Sequence, residues 1–224
     1  MKIVVQAVAS SLFGLAFFCV LLFWPAGTLN YWQAWVFIAV FSVVSVFASI
    51  YLVVRDPAAL QRRMKAGPIA ETRVIQKLVI IATMAAVVAV LVVSALDHRF
   101  GWSHVPIPVV VLGNVLVGVG LAFAQLVVIQ NGYAAATITV EADQKVVSTG
   151  VYGLVRHPMY VGALIMMVGT PLALDSYWGL LATILAVPIL ALRIEDEEKM
   201  LRQELDGYDE YTQKVHYRLV PGVW

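Results

Sequence analysis

Four stretches of this chain, Ile3–Trp24, Tyr31–Val54, Val74–Leu96 and Pro108–Gln130, are each long and apolar enough to cross a lipid bilayer as a helix. A hydrocarbon core about 30 Å thick takes roughly 20 helical residues at about 1.5 Å each. A fifth apolar region, Val161–Ile194, is too long for one span. Asp175, Ser176, Tyr177 and Trp178 interrupt it near the middle, and Pro171 precedes them. That pattern predicts a helical hairpin: a short helix to about Leu174, a turn, and a longer helix from Trp178, kinked at Pro188. The predicted fold class is therefore all-α, a polytopic integral membrane helical bundle of four full spans plus a C-terminal hairpin. Composition agrees. Hydrophobic residues make up 61% of the 224 positions and charged residues 13%, against about 25% charged in a soluble domain. The first run is too long for a typical signal-peptide core and no A-x-A site follows it, so it reads as a retained span. Cys19 is the single cysteine, which excludes an internal disulfide and a multi-cysteine zinc site. No metal site is expected, and a net charge of +1 gives no reason to expect nucleic acid.

The basic residues set the orientation. With the N-terminus in the cytosol, the cytosolic segments hold Lys2; Arg55, Arg62, Arg63, Lys65, Arg73 and Lys77; Lys145 and Arg156; and Arg193, Lys199, Arg202, Lys214 and Arg218. Arg99 alone of the 15 basic residues falls outside. The positive-inside rule favours this arrangement, with both termini cytosolic. Trp24, Tyr31, Trp32 and Trp102 then fall at outer boundaries, where an aromatic belt belongs, and Trp178 at the outer turn.

The first four spans are nearly free of ionisable residues and read as scaffold rather than as an ion path. Gln6, Gln33, Asn114 and Gln125 read as helix–helix contacts, and Gly113, Gly118 and Gly120 suit close helix packing. Polar chemistry gathers instead in residues 131–160 and from Arg193 onward. The hairpin leaves one membrane face after Tyr160 and returns to it near Arg193, so a ligand there touches both segments. In the first, Gly150 and Gly153 permit close backbone approach, and Pro158 starts a helix. Arg156 and His157 lie beside that helix N-terminus, which favours an anion. In the second, Glu195, Asp196, Glu197 and Glu198 form a run of four acids at the end of a span. Such a run suits either a solvated face, with Glu198 paired to Arg202 at i, i+4, or a cationic ligand.

Gly-Val-Tyr-Gly-Leu-Val-Arg-His-Pro-Met-Tyr-Val-Gly, ending at Gly162, is followed by Glu197-Glu198-x-x-Leu201 and then Tyr208-x-x-Tyr211. This order resembles the cofactor region of isoprenylcysteine carboxyl methyltransferases and, more loosely, of phospholipid N-methyltransferases. Asn131-Gly-Tyr, Gln144-Lys-Val-Val-Ser-Thr-Gly150 and Arg218-Leu-Val-Pro-Gly-Val-Trp224 resemble bacterial members of that superfamily. The likeness covers residues 130–224; the first three spans match only in character.

The resemblance implies S-adenosylmethionine as methyl donor and a bacterial inner (plasma) membrane location, and the basic-residue distribution implies a cytosolic catalytic face. Residues 1–130 become a transmembrane scaffold and 131–224 a cofactor-binding and catalytic region around hairpin 161–194. The cofactor carries a carboxylate, an ammonium, a sulfonium and an adenosine. Arg156 and His157 suit its anion, Glu197 and Glu198 its cation or ribose, and Tyr152 and Tyr160 its adenine or sulfonium. Gln144, Thr149, Gly150 and Gly162 complete the expected cofactor set. The acceptor is a lipophilic small molecule or lipid-linked substrate entering from the bilayer, bearing a carboxylate, thiol or amine. A carboxylate is already ionised and wants a nearby cation, for which Arg193 and Arg218 are candidates. An amine or thiol wants a base, for which His157, Tyr208 and Tyr211 are candidates. Arg193, Tyr208, Tyr211 and Arg218 thus form the expected catalytic set. Membrane sterol reductases, which use NADPH, carry a similar Arg-His-Pro-x-Tyr-x-Gly commonly followed by Glu. Here Ala163 follows, and the Glu-Glu helix is present; both departures favour the methyltransferase over the reductase. A third reading is a non-enzymatic membrane protein with a polar face for a partner.

Overall fold

The computed structural model describes residues 2–64, 73–134, 140 and 144–224. Lys65, counted above among the cytosolic cations, lies outside them. All regular structure among the described residues is helical: α1 (Lys2–Ala26), α2 (Trp32–Arg55), α3 (Pro57–Met64), α4 (Val74–Phe100), α5 (Ile107–Gln130), a 3-10 turn (Gly150–Gly153), α6 (Pro158–Ala173), α7 (Tyr177–Glu204) and α8 (Tyr208–Lys214). Helices α1, α2, α4, α5 and α7 are long and apolar enough to cross a membrane; α6, with 16 residues, is shorter. The hairpin forms as expected, and its second helix continues beyond the apolar span, through the run of acids, to Glu204. The acids therefore lie on the same continuous helix as the span. The short helices α3 and α8 carry too few apolar positions to stand out in the hydropathy pattern.

Helix α6 packs antiparallel on α5 through glycines that meet backbone to backbone. A Cβ on Gly113 would sit 2.3 Å from the Ala173 nitrogen, and one on Gly120 2.6 Å from the Gly162 carbonyl. Small residues allow this approach, which is how helices associate where lipid gives no hydrophobic drive. Gly118 faces only the Val40 side chain, at 3.6 Å, and plays no such part. Leu22, Phe37, Leu91, Val117 and Leu174, from five different helices or turns, build the main core with Tyr31.

Tyr31 departs from expectation. It is buried, not part of a belt: its ring stacks on His98 at 3.8 Å and its hydroxyl donates to the Leu174 carbonyl. Trp24, Trp32, Trp102 and Trp178 are exposed as a belt requires. Of the four polar residues read as helix contacts, only Gln33 makes a described hydrogen bond across elements, donating to Asp175 Oδ2 at 2.9 Å. Gln6 is exposed, and Asn114 bonds back to Val110 of its own helix.

The hairpin turn is held by a polar clasp. Asp175, at φ 59°, accepts the Val105 N–H at 2.6 Å as well as Gln33. Buried Asp97 accepts the hydroxyls of Ser103 and Ser176, at 2.6 and 2.7 Å. Ser176 also caps α7, accepting the Gly179 N–H at 2.9 Å. The turn thus fixes the register of α6 and α7, whose other ends carry the polar chemistry.

Candidate active site

The far end of the hairpin is closed by the C-terminal segment. The Arg156 and His157 N–H groups donate to the carbonyls of Tyr217 and Arg218, each at 2.9 Å. Behind this pairing lies Glu198, 3% exposed on α7. Its Oε1 takes Arg156 Nε at 2.7 Å and His157 Nε2 at 3.2 Å, and its Oε2 takes Arg218 Nε at 3.0 Å. Arg156 Nη1 donates to the carbonyls of Val215 and His216, and Arg218 lies over the Trp224 ring at 5.0 Å. The two segments do meet, but the expected anion site and cation site largely satisfy one another. Glu198 is an internal hub and does not line the cavity described next; it is not paired with Arg202, which bonds Asp209.

A cavity of about 120 Å³ with both polar and apolar walls, the more polar of the two described, opens beside this hub. Of the expected cofactor residues, Gln144, Tyr152, Arg156, His157, Tyr160 and Glu197 line it; of the expected catalytic residues, Arg193, Tyr208 and Tyr211 do. Thr149, Gly150, Gly162 and Arg218 do not. Gly150, at φ 59°, instead turns the chain against Gln130, whose Oε1 accepts the Val151 N–H at 3.2 Å. Gly162 serves the α5–α6 contact, and Arg218 belongs to the Glu198 hub. The walls also include Asn131, Met159, Met200 and Leu205. Asn131 donates to the Tyr152 hydroxyl at 3.2 Å.

The tyrosines do not suit the base role. Burial pushes the Tyr152 phenol up to about 12, against the opposing hydrogen bond from Asn131. Burial, reinforced by Glu198 and Glu197, raises Tyr208, and burial with Tyr152 raises Tyr211. Tyr211 donates to the Tyr152 carbonyl at 2.7 Å, whereas the buried Tyr208 hydroxyl has no partner among the described residues. All three are hydroxyl donors at neutral pH.

A second, apolar cavity of about 330 Å³ lies within the span region. Phe18, Phe41, Val87, Ala163, Met166 and Leu190 are among its walls. Tyr160 and Arg193 line both cavities. There Arg193 Nε donates to the Tyr160 hydroxyl at 2.9 Å, and that hydroxyl donates to Glu197 Oε2 at 2.6 Å. The sequence reading gave α4 no part in the site. Gln76 of α4 bonds both Arg193 and Asp196, and Arg73 pairs with Asp196 at 2.8 Å. A glutamine between two cations at the end of an otherwise apolar span was the available signal.

Residues 108–206 match the family model for phospholipid methyltransferase. The probable protein-S-isoprenylcysteine O-methyltransferase of Oryza sativa subsp. indica is 37% identical over 110 residues, covering 47% of this chain and 58% of that protein. Protein-S-isoprenylcysteine O-methyltransferase B of Arabidopsis thaliana is 32% identical over 127 residues, 54% of this chain and 60% of its own length. The chain thus spans less than two thirds of the curated relatives it matches. A solved structure described as a eukaryotic intramembrane Ras methyltransferase, an isoprenylcysteine carboxyl methyltransferase, shares the fold. Its TM-score is 0.56 at 20% identity, over 97% of this chain and 77% of that one. The family match over residues 108–206, the relatives and the common fold agree with the Arg-His-Pro and Glu-Glu segments brought together here, and together they support kinship with the isoprenylcysteine carboxyl methyltransferase and phospholipid methyltransferase superfamily.

Proposed function

We propose that this protein transfers a methyl group from S-adenosylmethionine to the carboxylate of a lipophilic acceptor. The observation that carries the reading is the junction of the two cavities: a polar one at the charged end and an apolar one among the spans share Tyr160 and Arg193. The polar cavity suits the cofactor. It holds aromatic faces at Tyr152, Tyr160, Tyr208 and Tyr211, a carboxylate at Glu197, and an orphaned buried hydroxyl at Tyr208. When bound, S-adenosylmethionine supplies a methyl group on a positively charged sulfur, which leaves as a neutral thioether.

The chain's own residues align and desolvate. Glu197 and the aromatic faces attract a cationic centre, and the Tyr208 hydroxyl gains a partner. The apolar cavity takes one hydrocarbon chain of the acceptor and excludes water from its head. Arg193 at the junction orients a carboxylate, so nucleophile and methyl are held in line. An acid acceptor needs no base, which agrees with a site whose tyrosines stay protonated and whose His157 is bonded to Glu198. Arg193 at the junction also disfavours an amine acceptor. The charged end carries Arg73, Lys77, Arg156, Arg193 and Arg218 while Arg99 lies at the clasp end, a distribution that by the positive-inside rule supports a cytosolic site.

The relatives are isoprenylcysteine O-methyltransferases by name, and N-acetylated S-farnesylcysteine is the natural probe. Purified protein with methyl-labelled cofactor is expected to label it, and mild base is expected to release the label as methanol, as an ester requires. Base-stable label on a phospholipid amine, with none on the acid, would overturn the carboxylate assignment.

A further inference from the structure

Gln76 is fully buried in the first turn of α4, outside the residues matched by the family model. The same helix lines the apolar cavity with Thr83, Val87 and Leu91. The Gln76 amide works in two directions. Its Nε2 donates to Asp196 Oδ2, and its Oε1 accepts Arg193 Nη1 at 3.3 Å. The other Asp196 oxygen is held by Arg73 at 2.8 Å, and Arg193 Nε is held by the Tyr160 hydroxyl at 2.9 Å. A neutral amide is the side chain that presents a donor and an acceptor on one rigid plane. It can therefore face a carboxylate and a guanidinium at once. A carboxylate at this position would repel Asp196, and a cation would repel Arg193.

We infer that Gln76 is a positioning residue for the acceptor: it fixes the guanidinium plane of Arg193 at the junction of the two cavities, toward the acid head of a chain in the apolar one. This rests on the carboxylate reading above. It makes α4 part of the site and not only its wall. A buried amide that merely glued α4 to α7 would change stability without separating acceptor from cofactor.

Three variants in lipid nanodiscs test this: Gln76→Met, Gln76→Glu, and Gln76→Glu combined with Asp196→Asn, which exchanges amide and carboxylate between the two positions at constant net charge. Cofactor-product affinity is read by calorimetry with S-adenosylhomocysteine, and kcat and KM by methyl transfer to N-acetylated S-farnesylcysteine. Gln76→Met and Gln76→Glu are expected to raise acceptor KM on the order of tenfold, the loss of one charged hydrogen bond, and to leave S-adenosylhomocysteine affinity within about twofold. The exchanged pair is expected to recover most of the acceptor KM. The pair carries the test should Gln76→Met fail to fold. An unchanged acceptor KM, a parallel loss of S-adenosylhomocysteine affinity, or an exchanged pair no better than Gln76→Glu would overturn the proposal while leaving the methyltransferase reading intact. A wild-type protein that binds S-adenosylhomocysteine but never methylates the acid would overturn the carboxylate reading, and this proposal with it.

Discussion

Neighbouring acids in this site have different roles, and substitution should separate them. Glu198 is the common partner of Arg156, His157 and Arg218, all held within 3.2 Å. Removing its charge leaves buried cations uncompensated, which costs about 3–5 kcal/mol. Glu198→Gln is expected to lower the melting temperature in detergent sharply and to release the C-terminal segment to proteolysis. Glu197 faces the cavity and accepts one tyrosine hydroxyl; Glu197→Gln is expected to keep the melting temperature and lose S-adenosylhomocysteine affinity. Tyr208→Phe should act with opposite signs on the two measurements. Its hydroxyl has no partner among the described residues, and an unsatisfied buried hydroxyl costs about 1–3 kcal/mol. The variant is expected to be as stable as wild type or more so, yet to bind the cofactor more weakly. The raised phenols also set a pH limit. A phenol whose folded pKa exceeds its unfolded value of about 10 favours the fold below that pH. Its contribution is lost as pH rises through the folded value, which for Tyr152 is about 12. Stability should therefore decline from about pH 10 upward, and turnover of an acid acceptor should show no rise near pH 10. At this scale the sequence showed which residues are charged and near one another. It did not show which would cancel: pairing of Arg156 with Glu198 is decided by where α7 continues and by the C-terminal segment folding back, both tertiary events.

Among the elements, the hairpin is the working part. Its clasp ties Leu174, Asp175 and Ser176 to α2, α4 and the α4–α5 connection, and its open end joins Arg156 to Glu198. Two alanines inserted after Leu190 would turn the following helix face by about 200 degrees. That removes Glu198 from Arg156, and loss of S-adenosylhomocysteine binding is expected with membrane insertion intact. Asp175→Ala is the complementary case: it strips the Val105 N–H and the Gln33 amide of their acceptor at the opposite end of the hairpin. It is expected to weaken cofactor binding only as far as it lowers stability. The spans and the hairpin were legible because lipid demands a length of apolar sequence. The end of α7 was less so, because beyond the bilayer no hydropathy pattern marks where a helix stops. Helices α3 and α8 escaped notice for a related reason: they are short, and their place is set by what they pack on.

Across the whole molecule, one end is a rigid clasp and the other a charged cavity. The apolar cavity among the spans connects to that charged end through Tyr160 and Arg193. Orientation is open to direct labelling. A cysteine at Ser103 is expected to react with an impermeant reagent outside intact cells, and one at Asp206 only after lysis. The central claim is that cofactor and acceptor occupy different cavities and meet at Arg193. Ala163 lines only the apolar cavity, so Ala163→Phe fills acceptor space without touching cofactor space. The direct test is to measure both affinities on that single variant. The expected result is a wild-type S-adenosylhomocysteine Kd with a KM for N-acetylated S-farnesylcysteine raised tenfold or more; an unchanged KM, or a Kd that weakens in step with it, would contradict the account.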